Sequence, residues 1–593
     1  MLAPLLLATL ACAAADTLLT RLALPHRPHD AALPLQLLAA WGVFALLVAL
    51  PARWLARRTR APFATALACL AGPLGLHQSV AGGVRTGDGA GRLALALLLA
   101  AAALLAAAAA SSWLERRAAG RRWPAWLLLL AALLLLPPAD ALRRAPPAGP
   151  PAAGPNLLLL VWDTTRADHL TPWGHERDTT PHLQRLAADS ATWEAAFSAS
   201  VFTLSSHVSM LTGLPPALHG TSIRRQTVTA PSVARTLHDA GYRTGAFVGT
   251  SVLAAGRGLE RGFEVYDDRV DPPLCSSTLW SLIHDLQVAA ARVAPALRGN
   301  GNPNHPQDFQ RPAAQVLAAA AEFIARPDPR PWFVMVNLFD VHWPYLPGKD
   351  AQALWVRPYA GPVNGYLFRA DDFPAGYRPD DADAAHVRDL YDAELWELDR
   401  TVDGFLADVL ARDPAACVLL TSDHGEALGE GDTWSHDELL LPQTRVPLLL
   451  RAPGRVEPGR RDGPVSGVDV AATLLDLAGV APPGTPTASR SLLAPPDPRR
   501  VLFLQDLDNL IVAKDHSAAL RGRLKLKLKD GVATLTEPLA DPLDRQDLSP
   551  AHPQEAAELR AALEKLLAAS AAAGEGDPLQ NVEALRALGY VGN

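Results

Sequence analysis

Cysteine is scarce in this chain of 593 residues, which contains only Cys12, Cys69, Cys275 and Cys417. Four scattered cysteines do not make a disulfide framework, so the fold must depend on a buried apolar core. A Cys275–Cys417 bridge could form only outside the cytoplasm, where thiols oxidise.

An excess of basic charge is also missing. The 54 Lys and Arg residues are outnumbered by 61 Asp and Glu residues, and the formal net charge is -7. Proteins that bind nucleic acid carry a basic patch or stripe, and the sequence contains none. We therefore exclude nucleic acid as a partner, and expect more than one domain from a chain of this length.

Polar residues are rare in residues 1–142, where Leu and Ala dominate. Apolar runs of about 20 residues are long enough for a helix to cross a bilayer. Five such runs occur, at about 2–24, 31–51, 62–84, 93–114 and 123–139. They predict about five transmembrane helices, and the first lacks the basic start of a cleaved signal peptide. A set of soluble Ala/Leu-rich helices is the alternative, but most of these runs have no polar face.

The arginines between these runs predict the orientation, because loops rich in arginine stay in the cytoplasm. Two arginine clusters follow the second and fourth runs: Arg53, Arg57, Arg58 and Arg60, then Arg116, Arg117, Arg121 and Arg122. The N-terminus is therefore expected in the cytoplasm and everything after residue 145 outside it. The predicted location is the inner (cytoplasmic) membrane, with the lipid bilayer as a partner.

A Pro/Gly-rich linker, 143–155, separates this region from alternating strand and helix patterns. Apolar runs typical of strands buried on both faces of a parallel sheet lie at Asn156–Trp162, Pro331–Leu338 and Ala416–Ser422. Helical patterns lie at 180–190, 311–326 and 391–409. This alternation predicts an α/β domain over 156–495.

The last part of the chain, 496–593, is expected to form a smaller α+β subdomain with a terminal helix. Short strands are predicted at 501–504, 519–528 and 532–535, and a helix at 555–573. The polar, turn-rich segment 298–307 predicts a surface loop that could close over a site.

Residues that can bind a metal directly follow two of the predicted strands. Asp163 follows the first strand, and Asp423 and His424 follow the third. Parallel sheets place ligands at the carboxyl ends of their strands, and two carboxylates with one imidazole can share one divalent cation. For each residue taken alone, a turn or a helix cap is the alternative role.

Thr203 precedes a predicted helix that begins near Leu204. A hydroxyl at a helix N-terminus lies close to free backbone N–H groups, which stabilise an anion. Capping of the helix is the ordinary role of such a threonine. A metal ion beside the hydroxyl would lower its pKa and make it a nucleophile.

Six motifs, taken in order, resemble bacterial sulfatase-like proteins of the alkaline phosphatase superfamily. They are NLLLLVWDTTRADHLTPWG, TLSSHVSMLTGLPPALHG, NLFDVHWPY, TSDHGEALGEG, SHDELLLPQTRVPLLLRAPG and the closing EALRALGYVG. The likeness covers roughly residues 155–590. It implies an alkaline-phosphatase-like α/β sandwich with a small C-terminal subdomain.

The resemblance implies a role for each matching position. The implied metal ligands are Asp163, Asp423 and His424, together with the nucleophile Thr203. His342 matches a histidine that contacts sulfate or phosphate oxygens. His436 matches a Lys or His that binds the same group or helps the leaving oxygen depart. His207 stands where sulfatases carry an arginine beside the nucleophile, and would also bind substrate.

The match departs from formylglycine sulfatases around the nucleophile. Those enzymes need Cys or Ser in a Cys/Ser-x-Pro-x-Arg frame, whereas this chain has Thr203, Ser205 and His207. Threonine cannot become the aldehyde hydrate, so formylglycine is not expected. Thr164 stands where many sulfatases have a second Asp. A site with one carboxylate fewer favours Mn²⁺ or Zn²⁺ over Ca²⁺, which prefers an all-oxygen shell.

The sequence thus predicts a metal-dependent hydrolase that acts on phosphate or sulfate esters outside the cytoplasm. Thr203 would attack phosphorus or sulfur, while His342 and His436 neutralise the non-bridging oxygens. A membrane phosphotransferase that modifies lipid or glycan is one alternative. An inactive membrane scaffold is another, suggested by the replacements at Thr164 and Ser205.

Overall fold

The computed structural model describes residues 153–222, 226–269, 310–365, 377–482, 488–507 and 516–573. The predicted transmembrane helices, the predicted loop 298–307 and Cys275 lie outside these residues. Cys417 is a buried free thiol. Among the described helices, none combines the length and the apolar composition that a membrane crossing requires.

Strands and helices alternate along the described chain, as predicted. The strands are β1 (Leu157–Trp162), β2 (Ala191–Trp193), β3 (Ala196–Phe197), β4 (Arg243–Val248), β5 (Val265–Asp267), β6 (Trp332–Leu338), β7 (Cys417–Thr421), β8 (Ala427–Leu428), β9 (Trp434–Ser435), β10 (Leu448–Arg451), β11 (Gly459–Arg461), β12 (Val465–Ser466), β13 (Leu502–Asp506), β14 (His516–Arg521), β15 (Leu524–Lys529) and β16 (Val532–Thr536). The α-helices are α1 (Pro181–Ala188), α2 (Thr203–Thr212), α3 (Pro216–His219), α4 (Val233–Asp239), α5 (Ala313–Ala325), α6 (Lys349–Trp355), α7 (Asp381–Arg412), α8 (Leu441–Thr444), α9 (Asp469–Ala478) and α10 (Pro553–Ala573).

A mainly parallel sheet forms the centre of the fold. Among the described residues it contains eight strands in the order β11-β2-β10-β7-β1-β6-β4-β5. Strand β1 lies between β6 and β7 and is parallel to both, whereas β10 joins the sheet antiparallel to β7. The three strands predicted from apolar runs are therefore neighbours, and their carboxyl ends lie at one edge.

Strand β1 has no exposed residue because helices cover both faces of the sheet. Leu157, Leu159 and Val161 pack on the side of α2, α4 and α9. The alternate residues, Leu158, Leu160 and Trp162, pack on the side of α1, α5 and α7. Each fully buried leucine contributes about 1.5–3 kcal/mol, which explains why a continuous apolar run is needed here.

The C-terminal segment forms an antiparallel sheet in the order β13-β14-β15-β16. The single strand predicted at 519–528 is wrong, because this stretch contains the end of β14 and most of β15. Gly522 separates them and takes a left-handed φ of 60°, which allows a tight turn. Helix α10 and helix α3 pack on one face of this sheet, and Leu439 and Leu441 pack on the other.

Candidate active site

Asp163, Asp423 and His424 come together at the carboxyl edge of the central sheet. Asp163 directly follows β1, and the other two residues follow β7 at its adjacent end. All three side chains are fully buried. Their potential ligand atoms lie within 4.8 Å of one another, which is close enough for one ion to contact all three.

The two carboxylates in this cluster lack a compensating charge. Asp163 Oδ1 and Asp423 Oδ2 are buried and have no hydrogen-bond partner among the described residues. Burial, and then the charge of Asp423, raises the pKa of Asp163 well above its ordinary value of 3.8. Within the described chain, no lysine or arginine pairs with either carboxylate: Asp423 has only the imidazoles of His207 and His424 nearby. A divalent cation would remove this imbalance, so the donor set fits a metal ion.

The orientation of Asp423 leaves one oxygen directed at the cluster. Its Oδ1 accepts from the backbone N–H groups of Thr164 and His424, at 3.1 and 2.9 Å. Ser206 on α2 donates to the Asp423 carbonyl at 2.7 Å. These contacts fix the carboxylate, so that Oδ2 remains available to an ion.

The tautomer of His424 follows from its neighbour. The ring nitrogen Nδ1 lies 3.0 Å from the Gly425 carbonyl oxygen. A carbonyl only accepts hydrogen bonds, so Nδ1 carries the proton and the lone pair is on Nε2. Nε2 lies 3.5 Å from Asp423 Oδ2, inside the cluster where a ligand atom is required.

Thr203 is the first residue of α2 and lies beside this cluster. The N-cap is Phe202, so the alternative that Thr203 caps the helix is wrong. Its hydroxyl is 3.5 Å from His424 Nε2, and the residue is 4 % exposed. The hydroxyl is therefore close to the helix N-terminus and to the potential metal ligands at the same time.

His207, one turn further along α2, is fully buried beneath the carboxylates. Its Nδ1 donates to the Thr203 carbonyl at 2.8 Å, and its Nε2 is 3.4 Å from the Asn337 amide nitrogen. Burial lowers the pKa of His207, which favours the neutral ring. The His207 ring therefore contacts Thr203 and Asn337, which both lie beside the metal-ligand cluster.

Asn337 is a site residue that the sequence analysis missed. Its side-chain amide donates to Asp163 Oδ2 at 3.0 Å, so the second carboxylate is also held by one oxygen. The sequence contained one signal for this role, because Asn337 is a single amide residue near the end of the apolar run WFVMVNL. A polar group in that position costs free energy unless it has a partner.

His342 and His436 extend the site outward from His424. The ring centroids of His424 and His436 are 4.4 Å apart, and those of His436 and His342 are 6.1 Å apart. His436 is 23 % exposed, and His342 is stacked on Phe339. The structure therefore brings both predicted histidines to the same side of the cluster as His424.

Glu426 was also missed by the sequence analysis. It is buried, accepts a hydrogen bond from the Tyr345 hydroxyl at 2.8 Å, and lies 4.0 Å from His436 Nε2. Only its position two residues after His424, in the motif TSDHGEALGEG, could have suggested a role. It adds a negative charge on the side of the site that carries His436.

A second group, His169, His175 and Asp392, also has potential ligand atoms within 4.8 Å. Here the carboxylate already has a cationic partner, because Arg177 Nη1 lies 2.8 Å from Asp392 Oδ2. His169 Nδ1 is 2.7 Å from the other oxygen, at hydrogen-bond distance. We interpret this group as a set of hydrogen bonds that fixes 169–177 on helix α7.

The family can be identified by comparison with known proteins. The sequence model of the Sulfatase family matches residues 155–480, more than half of the chain. The chain belongs to the sulfatase family. The match includes every candidate site residue described above, from Asp163 to His436, and ends before the C-terminal sheet.

Among curated relatives, the choline-sulfatase of Rhizobium meliloti (strain 1021) is 25 % identical over 364 residues. This match covers 55 % of the chain and 68 % of that protein. An uncharacterised sulfatase of Escherichia coli (strain K12) is 22 % identical over 387 residues, or 59 % of the chain and 72 % of that protein.

Two solved structures have the same fold. The phosphonate monoester hydrolase of Agrobacterium radiobacter superposes with a TM-score of 0.53 at 19 % identity, covering 70 % of the chain and 95 % of that structure. A protein solved with its substrate D-glucosamine-2-N,6-O-disulfate gives a TM-score of 0.55 at 15 % identity, with coverages of 71 % and 99 %. The predicted sulfatase-like α/β fold is confirmed, and the chain is a sulfatase-family hydrolase of sulfuric or phosphoric esters.

Proposed function

We propose that this sulfatase-family hydrolase depends on a divalent metal and uses Thr203 as its nucleophile. Asp163, Asp423 and His424 would hold the ion. One observation carries the proposal: two buried carboxylate oxygens that have no hydrogen-bond partner among the described residues lie beside His424, whose Nε2 is 3.5 Å from the Thr203 hydroxyl oxygen. Among the described residues, neither carboxylate has a lysine or arginine partner.

Each site residue has a separate role in the proposed reaction. The ion, when bound, would lower the pKa of the Thr203 hydroxyl, whose proton would be released to solvent water before the attack. Thr203 Oγ1 attacks phosphorus or sulfur in line, and His342 and His436 neutralise the non-bridging oxygens. His436, the more central of the two, donates a proton to the leaving oxygen. Water then hydrolyses the threonine ester, and His207 keeps the start of α2 in place by its bond to the Thr203 carbonyl.

The charge of the site favours an ester with a single negative charge. The two charges of the ion are balanced by Asp163 and Asp423, and Glu426 adds a further negative charge beside His436, so only histidines remain to compensate the substrate. Sulfate monoesters, phosphonate monoesters and phosphodiesters each carry one charge on the reacting group, whereas a phosphate monoester carries two. Relatives named choline-sulfatase and phosphonate monoester hydrolase agree with the first two classes.

The test is a set of aryl esters from these four classes, assayed with the purified full-length protein and with Mn²⁺, Zn²⁺ or Ca²⁺. We expect Thr203→Ala to lower kcat by about a thousandfold or more on the preferred ester, because the nucleophile is lost. Thr212→Ala is the matched control: this threonine ends the same helix, and its hydroxyl bonds to the Val208 carbonyl. Full activity of Thr203→Ala would exclude the proposed mechanism.

The same experiment addresses the two alternatives. A phosphotransferase would release a product that carries the head-group of the donor, which mass spectrometry detects. An inactive scaffold is disfavoured because two unpartnered buried carboxylates destabilise a fold that binds no ion. A purified protein without bound metal and without activity on any ester would support the scaffold.

We propose further that residues 1–142 anchor the protein in the inner membrane and that the catalytic domain is outside the cytoplasm. The five apolar runs and the arginine clusters after the second and fourth runs support this arrangement. Protease added to intact spheroplasts should digest the domain after residue 145. Protection of that domain until the cells are lysed would contradict the proposed orientation.

A further inference from the structure

The segment Trp434–Leu441, which we name the His436 loop, has an unfavourable backbone conformation. Ser435 and Leu439 flank the histidine and take left-handed φ angles of 68° and 55°. Residues with a Cβ rarely adopt this region, and a leucine there is uncommon even among them. The conformation must therefore be imposed by contacts with the surrounding structure.

Part of this restraint comes from Gln443, which follows the loop. Its fully buried side chain donates to the Ser435 carbonyl at 3.0 Å. Its carbonyl oxygen accepts from the backbone N–H groups of Glu438 and Leu440, both at 3.1 Å. Gln443 thus bonds to backbone groups of Ser435, Glu438 and Leu440 in the loop. It does not bond to the Leu439 carbonyl, which has a different partner.

The Leu439 carbonyl is bound from the C-terminal sheet. Lys525 on β15 is fully buried, and its Nζ donates to this oxygen at 2.9 Å. The same Nζ is 2.8 Å from Asp544 Oδ2, which supplies the counter-charge. The Leu439 side chain packs in the apolar cluster on this sheet. Burying an ammonium group costs free energy. In this protein the buried ammonium group is the one that bonds to the loop.

We propose that Lys525 is a positioning residue for the hydrolytic reaction. By holding the Leu439 carbonyl, it keeps the His436 loop in the conformation that presents His436 to the substrate. The C-terminal sheet would then supply a required part of the active-site scaffold, although the family match ends before it. The inference rests on the role given to His436 in the proposed function.

Lys527 provides a matched control on the same strand. It lies two residues further along β15, so its side chain points to the same face. It also pairs with Asp544, at 2.9 Å, and it is nearly buried. Among the described residues Lys527 pairs with Asp544, whereas Lys525 contacts both Asp544 and the loop. Comparing the two lysines therefore separates the stability of the sheet from the position of the loop.

The experiment uses the full-length protein and the ester preferred by the wild type. We expect Lys525→Met to lower kcat by about 10- to 100-fold with less than about a threefold change in KM. Lys527→Met should change kcat by less than about threefold. In a His436→Ala background, Lys525→Met should cause no further loss, because it acts through that histidine.

Three results would overturn the inference. The first is an equal loss of kcat from Lys525→Met in the wild-type and His436→Ala backgrounds. The second is an equal loss from Lys527→Met. The third is that neither Lys525→Met nor the milder Lys525→Gln folds, judged by circular dichroism, while Lys527→Met does. If only one of the two Lys525 variants folds, that variant is used to compare the loss of kcat in the wild-type and His436→Ala backgrounds.

The outcome also distinguishes this inference from the proposed function. Full activity of His436→Ala would contradict the role of that histidine, and the inference about Lys525 would fail with it. Impaired His436→Ala with additive loss from Lys525→Met would contradict only the inference. Loss of activity in Thr203→Ala remains the separate test of the nucleophile.

Discussion

At the scale of single residues, the buried pair Asp163 and Asp423 is the main feature of the candidate metal site. Each carboxylate is held through one oxygen, by Asn337 or by backbone N–H groups, and the other oxygen of each has no hydrogen-bond partner in the part of the chain that the structure describes. In a protein interior such an arrangement is unfavourable unless an ion completes it. The same two groups should therefore oppose folding without metal and favour it with metal.

Asp163→Asn should show that the carboxylate destabilises the metal-free fold. We expect the metal-free variant to be about 1–3 kcal/mol more stable than the metal-free wild type at neutral pH, because an amide avoids the free-energy cost of ionising or protonating this buried carboxyl group. The pKa of Asp163 is raised in the folded state, so the wild type loses stability as the pH rises above 3.8 and through the raised value. The gain from the substitution should grow over that range.

Urea denaturation of the chelator-treated proteins at several pH values measures the effect. The variant should also lose bound metal and activity, although it is more stable. An Asn substitution at the exposed Asp189 should produce neither change. If metal-free Asp163→Asn is less stable than the wild type at neutral pH, the assignment of an unpaired buried charge is wrong.

At the scale of elements, the turn after β7 depends on the absence of a side chain at Gly425. A Cβ at this position would lie 2.2 Å from the Pro442 carbonyl oxygen, a backbone atom at the start of α8. The adjacent residue is His424, so any displacement would move a potential metal ligand. Close backbone contact thus connects the end of β7 to the chain that follows the His436 loop.

Gly425→Ala should therefore affect both stability and activity. We expect a loss of about 1–3 kcal/mol from overpacking and a loss of kcat of about a hundredfold from the displaced ligand. Gly522→Ala is the control: its Cβ would meet nothing within 4 Å. Its left-handed φ alone should cost about 1 kcal/mol, without any change in kcat. Wild-type kcat in Gly425→Ala would contradict this account of the turn.

The sequence predicted those elements whose signal is local. β1, β6 and β7 were recognised because burial on both faces demands an uninterrupted apolar run. The hairpin at Gly522 was missed because apolar and polar residues alternate on both sides of the turn. Asn337 and Glu426 were missed because their roles depend on contacts across the fold. The left-handed backbone of the His436 loop has no sequence signal, since neither Ser435 nor Leu439 is a glycine.

At the scale of the whole molecule, the proposed ion should link activity to stability. Removing it with a chelator should abolish hydrolysis and lower Tm, because a ligand that binds only the folded state stabilises it. The effect is about 2.7 kcal/mol at a concentration 100 times Kd. Mn²⁺ or Zn²⁺ should restore both properties better than Ca²⁺. Hydrolysis at the wild-type rate by demonstrably metal-free protein would exclude metal dependence.

The distance in sequence between the joined groups has a consequence for biosynthesis. Thr164 and Asp423, which share a hydrogen bond, are 259 residues apart, and Lys525 lies still further along the chain. Chains are made from the N-terminus onward, so Asp163 and Thr203 are synthesised long before the groups that would make them reactive. Under the proposed mechanism, a growing polypeptide therefore carries Thr203 as an ordinary alcohol, and hydrolytic activity arises only after most of the sequence has been made.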